Sequence, residues 1–158
     1  MKNIKYLVMD VDGTLTDGHI YMGQNGEMMK AFYTKDGYGI CHIARPNGIE
    51  PVIITGRTSD IVKNRAQELG ITEIHQNVAD KFPKLMEILE ANGDSLSNCA
   101  YIGDDMNDYD CMSRIKEAGG SVGCPADAVA EVIELSDFVS SKDGGKGAVR
   151  DYIEWLVK

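Results

Sequence analysis

Basic residues are scarce in this chain. Sixteen Lys and Arg face 25 Asp and Glu, a net charge of −9 over 158 residues. That balance argues against nucleic acid as a partner, because binding a phosphate backbone takes a Lys/Arg surface. Cysteine is sparse too: Cys41, Cys99, Cys111 and Cys124 are scattered, with no Cys-x-x-Cys and no His in ligand spacing. This disfavours a zinc site and predicts reduced, mostly buried thiols of a cytoplasmic protein. No hydrophobic run approaches the length of a membrane span, so no membrane partner is expected. The first apolar run is short and ends in Asp10, so no signal peptide is read there.

What remains is one ordinary globular domain, 1–158, with 43% apolar residues. Apolar runs at 4–10, 51–55, 71–75, 99–102, 119–122 and 138–139 read as strands. Helical spacing follows most of them, from Asp36 to about Ala44, through Leu69, over 81–91, from Met106, over 126–135 and over 149–157. Asp36 is expected to cap the first helix, and Ser59 or Thr58 the second. Asn25-Gly26 between two β-prone runs signals a hairpin over about 18–34. Gly144 to Gly147 reads as a flexible loop. Alternation of this kind predicts an α/β fold, a mostly parallel sheet with helices on both faces.

Acids cluster in two of the loops, 10–17 and 104–110. In Asp10-Val11-Asp12-Gly13-Thr14 the two carboxylates point the same way from extended chain. They stand at the end of the first strand, where open α/β sheets bind ligands. Such a pair can hold a divalent cation and divide nucleophile and acid–base roles; a solvated Asp-Gly turn is the alternative. Three further loops share that sheet edge: Thr55-Gly56-Arg57, Lys81, and Asp104-Asp105-Met106-Asn107-Asp108. Singly, Thr55 can end a strand, Lys81 can be a surface lysine, and Asp104-Asp105 can cap a helix. Together they make an inventory for Mg²⁺ and phosphate. Carboxylates suit the cation, the Thr55 hydroxyl and Gly56 amide can donate to phosphate, and Lys81 can neutralise it.

These four motifs resemble those of the haloacid dehalogenase-like phosphatase superfamily, over nearly the whole chain. The short hairpin stands where most members insert a cap domain. Leu15-Thr16-Asp17-Gly18, Lys35-Asp36-Gly37-Tyr38-Gly39-Ile40 and Gly144-Gly145-Lys146-Gly147-Ala148-Val149-Arg150 look like its capless subgroup. That subgroup contains phosphatases of 3-deoxy-D-manno-octulosonate 8-phosphate and of nononate 9-phosphates. The C-terminal domain of animal acylneuraminate cytidylyltransferases is similar. The resemblance implies a Rossmann-like sheet without a cap and hydrolysis of a sugar-acid phosphate through an aspartyl-phosphate.

In that scheme Asp10 is the nucleophile and Asp12 the acid–base. Mg²⁺ takes Asp10, the Asp12 carbonyl and Asp104. Thr55, Gly56 and Lys81 hold the phosphoryl group. Asp105, Asn107 and Asp108 stand behind the ligands, Asp108 orienting Lys81 or a metal-bound water. Tyr33, Thr34, Lys35, Asp36, Gly37, Arg57 and Arg65 match substrate-contacting positions, the arginines suiting a carboxylate. Arg57 favours the octulosonate relatives, whereas Cys124-Pro125-Ala126-Asp127-Ala128 looks more like the sialic-acid ones. A homotetramer packed through the hairpins closes the open site in this subgroup. Ile20, Met22, Met28, Ala31 and Phe32 give this hairpin the apolar surface for such packing. Two other readings stand beside the enzyme: a non-catalytic oligomerisation module, and a response-regulator receiver. Intact Asp10, Asp12, Thr55, Lys81 and Asp104 disfavour the first. The second would need neither Asp12 nor the hairpin.

Overall fold

The computed structural model describes residues 3–158. Its sheet has six parallel strands in the order β5-β4-β1-β6-β7-β8, formed by Tyr6–Met9 (β1), Glu50–Ile54 (β4), Glu73–His75 (β5), Cys99–Ile102 (β6), Ser121–Cys124 (β7) and Phe138–Val139 (β8). Tyr21–Gly23 (β2) and Gly26–Met29 (β3) form a separate antiparallel hairpin. The helices are Thr34–Gly39 (α1), Asp60–Glu68 (α2), Lys81–Asn92 (α3), Met106–Glu117 (α4), Ala130–Leu135 (α5) and Ala148–Leu156 (α6). None is long and apolar enough to cross a membrane.

Strand alternation builds a core on each face of the sheet. Leu7 and Met9 of β1 pack with Ile40 beyond α1, Val62 and Ala66 of α2, and Tyr152 and Ile153 of α6. Val8 points the other way, onto Leu85 and Leu89 of α3, Met112 and Ile115 of α4, and Val132 of α5. Both faces being covered explains why the strands are continuously apolar rather than alternating with polar residues.

The chain runs from β1 outward to β4 and β5, then returns to β6 and continues to β7 and β8. The order reverses beside β1, and the crevice at the carboxyl ends of the central strands is where such sheets bind ligands. Asp10, Thr55 and Gly103-Asp104 leave the sheet there.

Several local expectations are corrected. Asp36 does not cap α1, whose N-cap is Tyr33 without a side-chain bond. The buried Asp36 instead accepts from the Arg150 amide of α6 at 2.9 Å, a cap supplied from another element. Ser59 makes no side-chain cap to α2; its hydroxyl donates to Glu27 Oε1 at 2.8 Å. β3 stops at Met29, because Lys30 turns inward from the ladder and is buried. Helix α5 begins only at Ala130, after a turn, and β7 starts at Ser121. The glycine loop is docked rather than free. Gly145 N donates to Thr14 O at 3.1 Å and Gly144 N to Asp127 Oδ1 at 2.9 Å. A Cβ on Gly144 would fall 1.8 Å from the Gly13 carbonyl oxygen, so only glycine allows that approach.

Candidate active site

Asp10 follows the fully buried Met9 and is itself 4% exposed. The chain then makes a wide turn over Val11–Leu15, broken at Asp12 and at Gly13, whose φ is +95°. Any side chain at Gly13 would strain that φ, and its Cβ would stand 2.1 Å from Asp104 Oδ2. The glycine therefore does more than permit a turn. It lets the β1 and β6 loops close on each other.

Lys81 opens α3, where the helix dipole disfavours a cation. Two carboxylates hold it there: Nζ donates to Asp10 Oδ1 at 2.7 Å and to Asp108 Oδ1 at 2.8 Å, with the lysine side chain 1% exposed. Burial pulls the Lys81 pKa down, but the two anions outweigh it, and the net direction is upward. Lys81 stays charged. The surplus falls on the acids. Burial, then Asp108, pushes Asp10 well above the usual carboxylate range. Burial and Asp108 likewise push Asp104 up to about 7, against the Thr14 hydroxyl, which donates to its Oδ1 at 2.9 Å.

Carboxylate oxygens of Asp10, Asp104 and Asp108 lie within 4.8 Å of one another. Three clustered carboxyls, Asp10 and Asp108 buried and Asp104 half-buried, face one lysine; a divalent cation would balance their full ionisation, and an all-oxygen set suits Mg²⁺. Asp108 is the least free of the three. Its Oδ1 accepts from Lys81 and, at 2.7 Å, from Tyr101; its Oδ2 accepts from the amides of Asp104 (3.1 Å) and Asp105 (3.4 Å). With four donors its lone pairs are taken. Asp10 and Asp104 are the carboxylates with capacity left for a metal.

A cleft of about 380 Å³ opens over these groups, lined by Asp10, Asp12, Gly18, Thr55, Gly56, Arg57, Asp104, Asp105 and Asn107. Thr55 is buried at the end of β4. Asp105 caps α4, accepting from the Met106 amide at 2.7 Å. Of the residues expected to contact substrate, the chain brings only Arg57 to this cleft. Tyr33, Asp36, Gly37 and Arg65 line a small neighbouring cavity, where Arg65 pairs with Glu68 at 2.7 Å and stacks over Phe32. Thr34 and Lys35 line a third depression with Tyr38, Lys142 and Arg150.

Sequence reasoning missed Tyr101, Glu27 and Lys30. Tyr101 is fully buried in an apolar strand and reads there as core. Lys30 reads as a solvated hairpin lysine, yet it bonds Asp12 and, at 3.1 Å, Glu27. Its one sequence signal is the spacing Glu27-x-x-Lys30, which breaks strand alternation.

No family model matches the chain. It is 43% identical over 156 residues to the 3-deoxy-D-manno-octulosonate 8-phosphate phosphatase of Escherichia coli K12, covering 99% of this chain and 80% of that one. The same phosphatase from Moraxella catarrhalis, solved with magnesium, phosphate and 3-deoxy-D-manno-octulosonate (KDO), superposes with a TM-score of 0.91 at 40% identity. That match covers 99% of this chain and 87% of the other. The cobalt-bound Haemophilus influenzae phosphatase gives a TM-score of 0.90 at 34% identity, covering 99% and 88%. Likeness of this extent, with the acidic and lysine motifs on one sheet edge, means that the chain belongs to the 3-deoxy-D-manno-octulosonate 8-phosphate phosphatase family of haloacid dehalogenase-like hydrolases.

Proposed function

We propose that this chain, acting as one catalytic domain, hydrolyses the phosphate monoester of 3-deoxy-D-manno-octulosonate 8-phosphate. The observation that carries the reading is the buried Asp10–Lys81–Asp108 network under a cleft rimmed by Asp12, Thr55 and Gly56. In the first step an Asp10 carboxylate oxygen bonds to phosphorus as the ester oxygen–phosphorus bond breaks. Asp12 gives its proton to the departing alkoxide. In the second, water yields a proton to Asp12 and attacks phosphorus; the bond to Asp10 breaks and inorganic phosphate leaves.

Lys81 neutralises charge around the transferred group and fixes Asp10, while the Thr55 hydroxyl and Gly56 amide hold phosphoryl oxygens. Asp10, Asp104 and the Asp12 backbone carbonyl are the groups that would hold Mg²⁺, with Asp108 orienting Lys81 behind them. When bound, the ion supplies positive charge that offsets repulsion between two anions.

Substrate recognition draws on Arg57 and, from the neighbouring depressions, Tyr33, Thr34, Lys35, Asp36, Gly37 and Arg65. Their dispersal over three depressions in one chain favours a shared site, in which a second copy of the chain brings some of them over each cleft. A homotetramer would do so, and the exposed Met22, Met28 and Met29 of the hairpin give it an apolar seam. Three of the four free thiols are buried, which fits a cytoplasmic enzyme, and the net charge of −9 disfavours nucleic acid.

The test is phosphate release, with Mg²⁺, from octulosonate 8-phosphate, a nononate 9-phosphate and N-acylneuraminate 9-phosphate. The octulosonate ester should give the highest kcat/KM. A better nononate substrate overturns the substrate assignment, and no release from any ester overturns the enzyme.

A further inference from the structure

A lysine on a short surface hairpin is ordinarily solvated, yet the Lys30 side chain is 1% exposed. Its ammonium bonds Asp12 Oδ1 and lies 3.1 Å from Glu27 Oε2. Glu27 is in turn a hub. Its Oε1 accepts from Ser59 Oγ at 2.8 Å, and its Oε2 lies 3.4 Å from Arg57 Nη2. The carboxyl of Glu27, drawn up by burial, is pulled below its ordinary range by Ser59, Lys30 and Arg57. Five side chains, Asp12, Glu27, Lys30, Arg57 and Ser59, thus connect the hairpin to the loop after β1 and to the loop before α2.

Asp12 needs such an anchor. It sits in an irregular turn, φ −74° and ψ 110°, outside the helical range of its neighbours. Its side chain is 20% exposed and free to rotate unless held. Lys30 engages Oδ1 and so fixes the plane of the carboxylate, while Oδ2 carries no hydrogen bond among the described residues.

We propose that Lys30 and Glu27 are positioning residues for the reaction. Lys30 fixes the Asp12 carboxylate for proton transfer, and Glu27 fixes Lys30 by tying the hairpin to Ser59 and Arg57. Hairpin docking and acid–base alignment are then one event. The inference rests on the reading of Asp12 as the acid–base group, and it adds two residues from outside the sequence motifs.

The test separates the two chemical steps with p-nitrophenyl phosphate, whose leaving group departs without a proton. Formation of the phosphoenzyme then needs little from Asp12, whereas its hydrolysis needs Asp12 to take a proton from water. In Lys30→Met, rapid acid quench should show phosphoenzyme forming at the wild-type rate and decaying about 10- to 100-fold more slowly, the scale of a misplaced reacting group. Lys30→Arg should recover part of the decay rate, and Glu27→Gln should slow it by less than Lys30→Met. Removing a mere scaffold would slow both steps alike or neither. Equal slowing of both steps, or unchanged decay, in protein that melts as wild type does overturns the proposal. If Lys30→Met does not fold, Glu27→Gln is judged by the same criterion. Wild-type protein inactive on every ester overturns the functional reading itself, and this inference with it.

Discussion

Replacing Asp36 by Asn should stabilise the protein at neutral pH and do progressively less as the pH falls. Asp36 is 1% exposed. Its Oδ1 accepts from the Arg150 amide, and its Oδ2 is buried without a hydrogen-bond partner among the described residues. Burial is the main reason its pKa rises from 3.8 to about 6, with Asp151 adding to it and the Arg150 and Gly147 amides opposing. A carboxyl with a raised folded pKa holds its proton more tightly folded than unfolded. Its contribution to stability is whole below pH 3.8 and is lost as the pH rises through about 6. About two units at 1.36 kcal/mol each put the full loss at about 3 kcal/mol, of which about 1.4 falls between pH 5 and pH 8. The Asn amide keeps an acceptor for Arg150 and has no charge to bury. Urea unfolding of both proteins at pH 5, 6, 7 and 8 measures the difference directly, since every other titrating group cancels. The variant's advantage should grow with pH. A difference that stays flat, or one that moves toward wild type as the pH rises, refutes the reasoning.

Asp10→Asn should fold and show no turnover, and strong chelation should abolish wild-type activity; full activity under chelator would remove the metal from the reaction. Asp12→Asn should lower kcat by ~10²–10⁴ while magnesium binding, followed calorimetrically, stays intact, because in the proposed site the metal would use the Asp12 backbone carbonyl. A near-normal rate would take Asp12 out of the acid–base role. Light scattering at micromolar protein should give four times the chain mass, as closed symmetric assembly would; a fully active monomer would refute the shared site.

The sheet was legible because its strands are buried on both faces and so read as uninterrupted apolar runs; Cys99–Ile102 falls where the sequence placed it. The acidic loops were legible because they follow those strands. What the sequence hid are contacts without a period. Asp36 and Arg150 are 114 positions apart, and Lys30 and Asp12 are 18. Helix-capping preference put Asp36 at the nearest helix start, but the fold delivers it to the start of α6. Propensity likewise assigns Lys30 to solvent, and only the carboxylates waiting for it reverse that, whereas Lys81 was legible from its company with the acidic loops.

The docking of Gly144 and Gly145 on the turn that follows Asp10 also has a meaning in time. Synthesis delivers Asp10 first and the glycine loop more than a hundred residues later. Until then the Thr14 carbonyl lacks the Gly145 amide, and until α6 emerges Asp36 has no helix to cap. Contacts of such sequence separation close late in folding. A half-made chain therefore holds its acids without the backbone that fixes them. Asp36 and the turn after Asp10 gain these partners only when the two ends of the fold have met.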